Sequence, residues 1–178
     1  MSPKVLALDI AIEKTGFCTV DGVVGTSKGG KLDARFRRLY DDVYRLAGPA
    51  DLVIMEDLPL RAMSAALTGR AHGVVRLALH DLGGRPIVSV VASTLKKYAT
   101  RNGKATKEDM INAYYTAIAI EGKSHLAKGG VTNDEADAFH LWRLGTGWLR
   151  HEPRAREANV DFTAWRNWQI AQLEVAGR

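Results

Sequence analysis

Only one of the 178 residues is a cysteine, Cys18, so no intrachain disulfide can form. No cluster of cysteine and histidine offers a zinc site. No apolar run approaches the roughly 20 residues of a membrane span. The opening Met-Ser-Pro-Lys lacks the apolar core of a signal peptide, and a cytoplasmic protein away from membranes is expected. No Gly-x-x-x-x-Gly-Lys-Ser/Thr loop is present, which excludes the common P-loop phosphate site. Internal repeats are absent too. Acidic residues are scarce where basic ones are dense. Between positions 60 and 107 Asp81 is the only acid, against Arg61, Arg70, Arg76, Arg85, Lys96, Lys97, Arg101, Lys104 and Lys107.

What remains is a chain of ordinary globular composition, 46% hydrophobic, which excludes a disordered polymer and fits one domain with a sizeable core. The net charge of +5 favours a polyanionic partner, and the basic run from Arg61 to Lys107 reads as a phosphate-binding face. Cys18 falls in a strand pattern and reads as a small core residue.

Residues 5–8, Val-Leu-Ala-Leu, suit a strand buried on both faces. Asp9 interrupts that run. A carboxylate there is costly unless it is paired or binds a metal; otherwise it ends the strand and caps a turn. Thr15-Gly16 reads as a hairpin turn, 17–20 as the returning strand, and 23–26, after Asp21-Gly22, as an edge strand. A polar loop over 27–31 leads to a helix over 32–46, with Leu32, Phe36, Leu39, Tyr40, Val43 and Leu46 on one face. Residues 51–56 form a second buried strand, parallel to the first after a crossover, and Glu56 ends it as Asp9 ends the first. Parallel strands place their carboxyl ends on one edge, where ligands of open α/β sheets bind. Asp57 points to the opposite face.

A helix over 63–82, a strand over 86–91 and a short helix over 93–98 starting at a Ser or Thr cap follow. Thr106 caps a helix over 107–120. Thr132 or Asn133 opens another, which runs to Leu144 and is punctuated by Gly145 and Gly147. Asp134 and Asp137 share one face of this helix, while Ala136, Ala138 and Leu141 suit close packing on a sheet. Glu135 projects into solvent. His140 reads as a packing residue beside the cleft rather than a ligand. The tail carries Trp148, Trp165 and Trp168, with an amphipathic helix over 161–175 that reads as packing back on the domain or across a dimer, the other reading being aromatics that stack on nucleic acid.

If Asp9, Glu56, Asp134 and Asp137 converge, four negative groups crowd one cleft and need a cation. Oxygen-only ligands suit Mg²⁺ or Mn²⁺. An acidic metal cleft beside a basic surface fits phosphodiester hydrolysis, in which two ions activate water and stabilise the leaving oxygen, with Lys107 holding the phosphate.

The order of these parts resembles the RuvC Holliday-junction resolvases of the ribonuclease H-like superfamily. The resembling pieces are Leu8-Asp9 with Thr15-Gly16, Ile54-Met55-Glu56, and the stretch from Ser64 to Gly73. Ser93-Thr94-Leu95-Lys96-Lys97, Gly103-Lys104-Ala105-Thr106-Lys107 and Asp134-Glu135-Ala136-Asp137-Ala138 complete them. The resemblance implies an α/β fold, a mixed sheet flanked by helices, over residues 1–145, followed here by a helical extension over 146–178. It implies that Asp9, Glu56, Asp134 and Asp137 bind the metal, Mg²⁺ with Mn²⁺ as substitute, and that Lys107 and Lys96 contact the scissile region. Arg61, Arg70, Arg76, Lys97, Arg101 and Lys104 are the further DNA-binding candidates. A homodimer nicking opposed strands of a four-way junction is implied, with a branch-migration helicase as an open partner. The chain departs from the family at Asp9-Ile10-Ala11, often Asp-Pro-Gly, and at Pro59-Leu60, where an aromatic is often found. Two other readings stand beside this one: a flap, fork or RNA–DNA hybrid nuclease, and a non-catalytic junction-binding module.

Overall fold

Alternation along the strands decides which residues face which layer. The computed structural model describes residues 3–58, 65–121 and 130–176. Strands β1 (Val5–Asp9), β2 (Lys14–Cys18), β3 (Val24–Lys28), β4 (Leu52–Glu56) and β5 (Ile87–Val90) form one sheet in the order β3-β2-β1-β4-β5. β1 runs parallel to β4 and β4 to β5, whereas β2 is antiparallel to both β1 and β3. The mixed sheet flanked by helices is therefore as expected.

Helices α1 (Asp33–Ala47) and α2 (Ala65–Asp81) cover one face. Leu6, Leu8, Val53 and Met55 bury there against Leu39, Val43, Ala71, Val75 and Leu79. Helices α3 (Ala92–Thr100), α4 (Lys107–Glu121) and α5 (Asn133–Leu149) cover the other, with α6 (Pro153–Glu157) packed on α5 and α7 (Thr163–Ala176) reaching the edge strand β5. Val5, Ala7, Leu52, Ile54, Val88 and Val90 bury against Leu95, Met110, Tyr114, Ala136, Ala138 and Leu141 on that side. Each large apolar side chain among them contributes about 1.5–3 kcal/mol by leaving water. The two-residue period then carries Asp9 and Glu56 to the α5 side. Cys18 is buried in the same layer, as its strand position implies.

Several boundaries differ from the sequence reading. Thr15-Gly16 is not a turn but the middle of β2, where Thr15 pairs with Ser27 and Gly16 with both Asp9 and Thr26. The chain reverses earlier, between Asp9 and Lys14. Ser27 and Lys28 belong to β3 rather than to a loop. Arg35, on the buried side of α1, is 3% exposed and explains why this hairpin is held so tightly. Its guanidinium donates to the Ile12 carbonyl (2.9 Å), Ser27 Oγ (3.2 Å), Thr15 Oγ1 (3.1 Å) and the Ser27 carbonyl (3.1 Å). A buried cation without hydrogen bonds would be costly, and this one ties α1, β2, β3 and the β1–β2 turn together. Helix α3 starts after Val91, with no side-chain cap, one residue ahead of the expected Ser93.

Gly145 and Gly147 do not end α5, which continues to Leu149. A β-carbon at Gly145 would lie 3.0 Å from Val5 and 3.4 Å from Ile54, so the glycine lets the helix settle on the sheet. The short α6 was not anticipated; Pro153 at its first turn is the signal for it. The extension is anchored through aromatics. The Trp148 and Phe162 rings stack with centroids 3.9 Å apart, the Arg156 guanidinium lies 3.8 Å from the Trp148 ring, and Phe162 and Trp165 share the buried cluster of β1 and β4. Phe162→Ala is predicted to cost about 3–5 kcal/mol, as aromatic truncations in cores do. Urea unfolding monitored by circular dichroism checks this; an unchanged midpoint would mean that the extension is not coupled to the sheet.

Candidate active site

Parallel pairing of β1 with β4, in the register Leu8 with Met55, brings Asp9 and Glu56 to the same sheet edge. The N-terminus of α5 is held over that edge by its own cap. Thr132 Oγ1 accepts from the Glu135 amide (3.3 Å) and Glu135 Oε2 accepts from the Thr132 amide (2.8 Å), a reciprocal capping box. Thr26 Oγ1 of β3 donates to the other Glu135 oxygen at 2.8 Å. Glu135 is thus not directed into solvent; it fastens α5 to the sheet, and these hydrogen bonds lower its pKa against the opposing effect of burial. Gly16 makes the approach possible, because a β-carbon there would overlap the Asp134 carbonyl. Asp134 and Asp137 consequently stand over the end of β1.

The four carboxylates feel one another. Asp9 has its pKa raised well above the ordinary value, first by burial and then by the charges of Glu56, Asp137 and Asp134. Glu56 is raised to about 7 by burial and by Asp137, with Lys96 opposing. Asp137 is raised to about 6 by burial and by Asp134, with Lys96 and Lys107 opposing. All four acids are only partly buried, so an ion in solution can reach them. Asp57 is exposed, and its amide continues the ladder by donating to the Val90 carbonyl at 2.8 Å.

One participant was missed. Lys14 Nζ lies 2.9 Å from Asp134 Oδ2, so β2 brings a cation into the acidic edge. Placing the turn at Thr15-Gly16 hid it, because Lys14 then falls inside a loop. His140 is buried on α5, its Nε2 donating to the Met110 carbonyl at 3.2 Å. Burial holds its pKa at about 4, and the charges acting on it are Arg143 and Arg154, not the four acids. It serves the packing of α5 on α4.

The basic candidates fall in two layers. Lys96 on α3 and Lys107 at the start of α4 act electrostatically on the acids. Lys97, Arg101 and Lys104 are exposed on and just after α3. Arg70 and Arg76 are exposed on α2, in the layer across the sheet, so this basic stretch does not form one face. Arg61 lies outside the described residues.

Among the described residues, no three acidic, histidine or cysteine side chains converge on one metal-sized point in this conformation. The donor chemistry nevertheless fits a hard cation. Every candidate ligand atom is a carboxylate oxygen, and Asp137 Oδ1 is buried without a hydrogen-bond partner. Such an orphaned acceptor among repelling anions is the polar group a cation would satisfy.

This sheet order with acids on its edge defines the ribonuclease H-like class of fold. Among solved structures, Thermus thermophilus RuvC aligns with 83% of this chain and 96% of its own at 18% identity, TM-score 0.62. T. thermophilus RuvC in complex with Holliday junction substrate aligns with 84% and 95% at 19% identity, TM-score 0.63. The sequence matches no protein-family model. It is 32% identical over 174 residues to the crossover junction endodeoxyribonuclease RuvC of Anaeromyxobacter sp. (strain Fw109-5), covering 95% of this chain and 77% of that one. The chain belongs to the RuvC family of crossover junction endodeoxyribonucleases.

The raised pKa values carry a sign. An acid whose pKa rises on folding favours the native state only while it is protonated, and that advantage is lost as pH climbs from the unfolded value through the folded one. For Glu56 the window runs from 4.5 to about 7. In EDTA at pH 8, Glu56→Gln is therefore predicted to stabilise the protein, on the order of 1–3 kcal/mol, with the gain vanishing below pH 4.5. Thermal melts across pH check this; a variant less stable than the parent at pH 8 would contradict it.

Proposed function

We propose that this protein is a divalent-metal-dependent endonuclease that cuts four-way DNA junctions, with Asp9, Glu56, Asp134 and Asp137 as the acids that hold the metal. One observation carries the reading: carboxylates from two strand ends and one helix are gathered at one sheet edge at the expense of stability, and burial and the charges of neighbouring acids drive up the pKa values of Asp9, Glu56 and Asp137. Function, rather than folding, accounts for such an arrangement. Mg²⁺ is the expected ion, Mn²⁺ its substitute, and two ions per site fit four acidic ligands. When bound, the metal supplies an activated water and charge stabilisation of the leaving oxygen. The protein does the rest. Asp134, paired with Lys14 in this structure, would be one of the residues to hold the ion. Lys107 and Lys96 hold the scissile phosphate against the acidic edge, offsetting the repulsion between them.

Paired cuts on opposed strands call for two sites, and so for a homodimer. Phe36, Tyr40, Val74 and Leu77, together with Arg37 and Asp81, line a mostly apolar groove between α1 and α2, and Leu77 there is 54% exposed. This groove supports α1 and α2 as the dimer face. Leu77→Glu is predicted to convert the dimer to monomer at micromolar concentration in sedimentation experiments; a dimer that persists would place the interface elsewhere.

Cleavage of a synthetic four-way junction, a fork, a flap, an RNA–DNA hybrid and a matched duplex in Mg²⁺, Mn²⁺ and EDTA tests the central reading. Symmetric nicks on the junction alone, abolished by EDTA, are expected. Asp9→Asn is predicted to slow cutting by at least about 100-fold while leaving junction affinity within about threefold. Equal cutting of forks, flaps or hybrids would discard junction selectivity but keep the chemistry. Binding without cutting in any metal would make the protein a non-catalytic junction-binding module.

A further inference from the structure

A cleft of about 220 Å³ opens between α3 and the C-terminal extension, lined by Thr94, Lys97, Tyr98, Arg101, Arg154 and Glu157. Three of these residues are cations, brought together from stretches more than fifty residues apart in the chain. Glu157 is the one acid in the lining. Its carboxylate is 4.0 Å from Arg101 Nη1, and both side chains are 69% exposed, so the pair is loose and water-screened. The lining therefore carries an excess of positive charge.

Arg154 is set in place before any ligand arrives. Its Nη2 donates to the Ala99 carbonyl at 3.0 Å, and its guanidinium lies 5.5 Å from the centre of the Tyr98 ring. Its Nε is buried and has no hydrogen-bond partner among the described residues. Burial, followed by the charge of Arg101, lowers its pKa. Arg101 terminates α3 in the left-handed region, φ 70°, its amide bonded to the Lys97 carbonyl. The chain turns there, and Arg101 stands beside the same cleft. A preorganised Arg154 beside the uncompensated charges of Lys97 and Arg101 suits a group with several anionic oxygens, above all a phosphate.

We propose that this cleft is a second phosphate site, distinct from the acidic edge, which grips a backbone phosphodiester of a DNA arm while the scissile phosphate lies at the acids. The proposal rests on the DNA-cutting reading and deepens it. Continuity along α3 favours DNA over a free ion. Lys96 acts on Glu56 and Asp137, and Lys97, its neighbour on the helix, lines the cleft. A polyanionic strand can thus pass from one site to the other along a single short helix. The C-terminal extension supplies Arg154 and so becomes part of the DNA-binding surface.

Fluorescence anisotropy with a labelled linear duplex, in EDTA and over a salt series, tests this without any cutting. Removing one side chain that neutralises a phosphate should reduce the slope of log K against log salt by about 0.9. Lys97→Ala/Arg101→Ala should flatten the slope by about 1.8 and Arg154→Leu by about 0.9. Glu157→Gln should act in the opposite direction, tightening binding about threefold, an outcome that a misfolded variant does not produce. Lys31→Ala, a charge removed outside the cleft, should leave the slope unchanged. Unchanged slopes in the cleft variants, or an equal drop in Lys31→Ala, would overturn the proposal. Titration with orthophosphate at fixed ionic strength separates the sources: saturable binding that the cleft variants abolish, without any change in their DNA slopes, would assign the cleft to a free anion instead. Failure to cut junctions in Mg²⁺ would refute the nuclease reading while leaving the slope result standing; normal cutting with unchanged slopes would refute the cleft alone.

Discussion

The close approach of α5 to the sheet governs everything at the acidic edge. At Gly16 there is no room for even a β-carbon between β2 and the Asp134 carbonyl, and at Gly145 the same helix rests on Val5 and Ile54. Small residues, Ala136 and Ala138, line the buried face between those points. Close packing of this kind transmits strain, because protein interiors compress little. A helix carrying Asp134 and Asp137 can meet strand-end carboxylates at Asp9 and Glu56 only if it lies this low. The capping box of Thr132 and Glu135, stapled to Thr26, then fixes its start.

The consequence is electrostatic. Packing supplies the free energy that holds like charges together, and the protein keeps two kinds of counterweight near them. Lys14 pairs directly with Asp134, while Lys96 and Lys107 act from the flanking helices α3 and α4. These two kinds play different parts. A residue that neutralises an acid competes with a metal for it, whereas one that faces the acids across the cleft is free to meet a phosphate. A divalent cation entering the edge therefore works with the fold, relieving repulsion that packing alone has to bear.

Much of this was legible in the sequence. Strand-end acids after apolar runs, at Asp9 and Glu56, declare themselves because a buried strand has few reasons to end in a carboxylate. The spacing of Asp134 and Asp137 reveals a helix face directly. Long-range geometry was harder to read. Lys14 and Glu135 look like surface charges until the β1–β2 turn and the position of β3 are known. Gly145 and Gly147 read as helix stops because local propensity says so, whereas close packing keeps them inside α5. Arg35 sits among the charges of an amphipathic helix, and only its neutral acceptors on Ile12, Thr15 and Ser27 mark it as buried. The basic stretch read as one surface divides because the sheet passes between α2 and α3. Linear charge density cannot report which side of a sheet a helix will occupy.

The aromatic anchoring of the extension has an optical corollary. All four tryptophans, Trp142, Trp148, Trp165 and Trp168, lie within or packed against the core layer that contains α5. The α1–α2 layer holds none. Trp148 emission is further conditioned by the stacked Phe162 ring and the Arg156 guanidinium, and Trp165 and Trp168 stack with each other at 5.2 Å. Light absorbed at the red edge of the protein spectrum is thus confined to one half of the molecule. Tryptophan fluorescence excited at that edge reads the seating of the extension on α5, whereas the layer across the sheet carries tyrosines in place of tryptophans, Tyr40 and Tyr44 of α1.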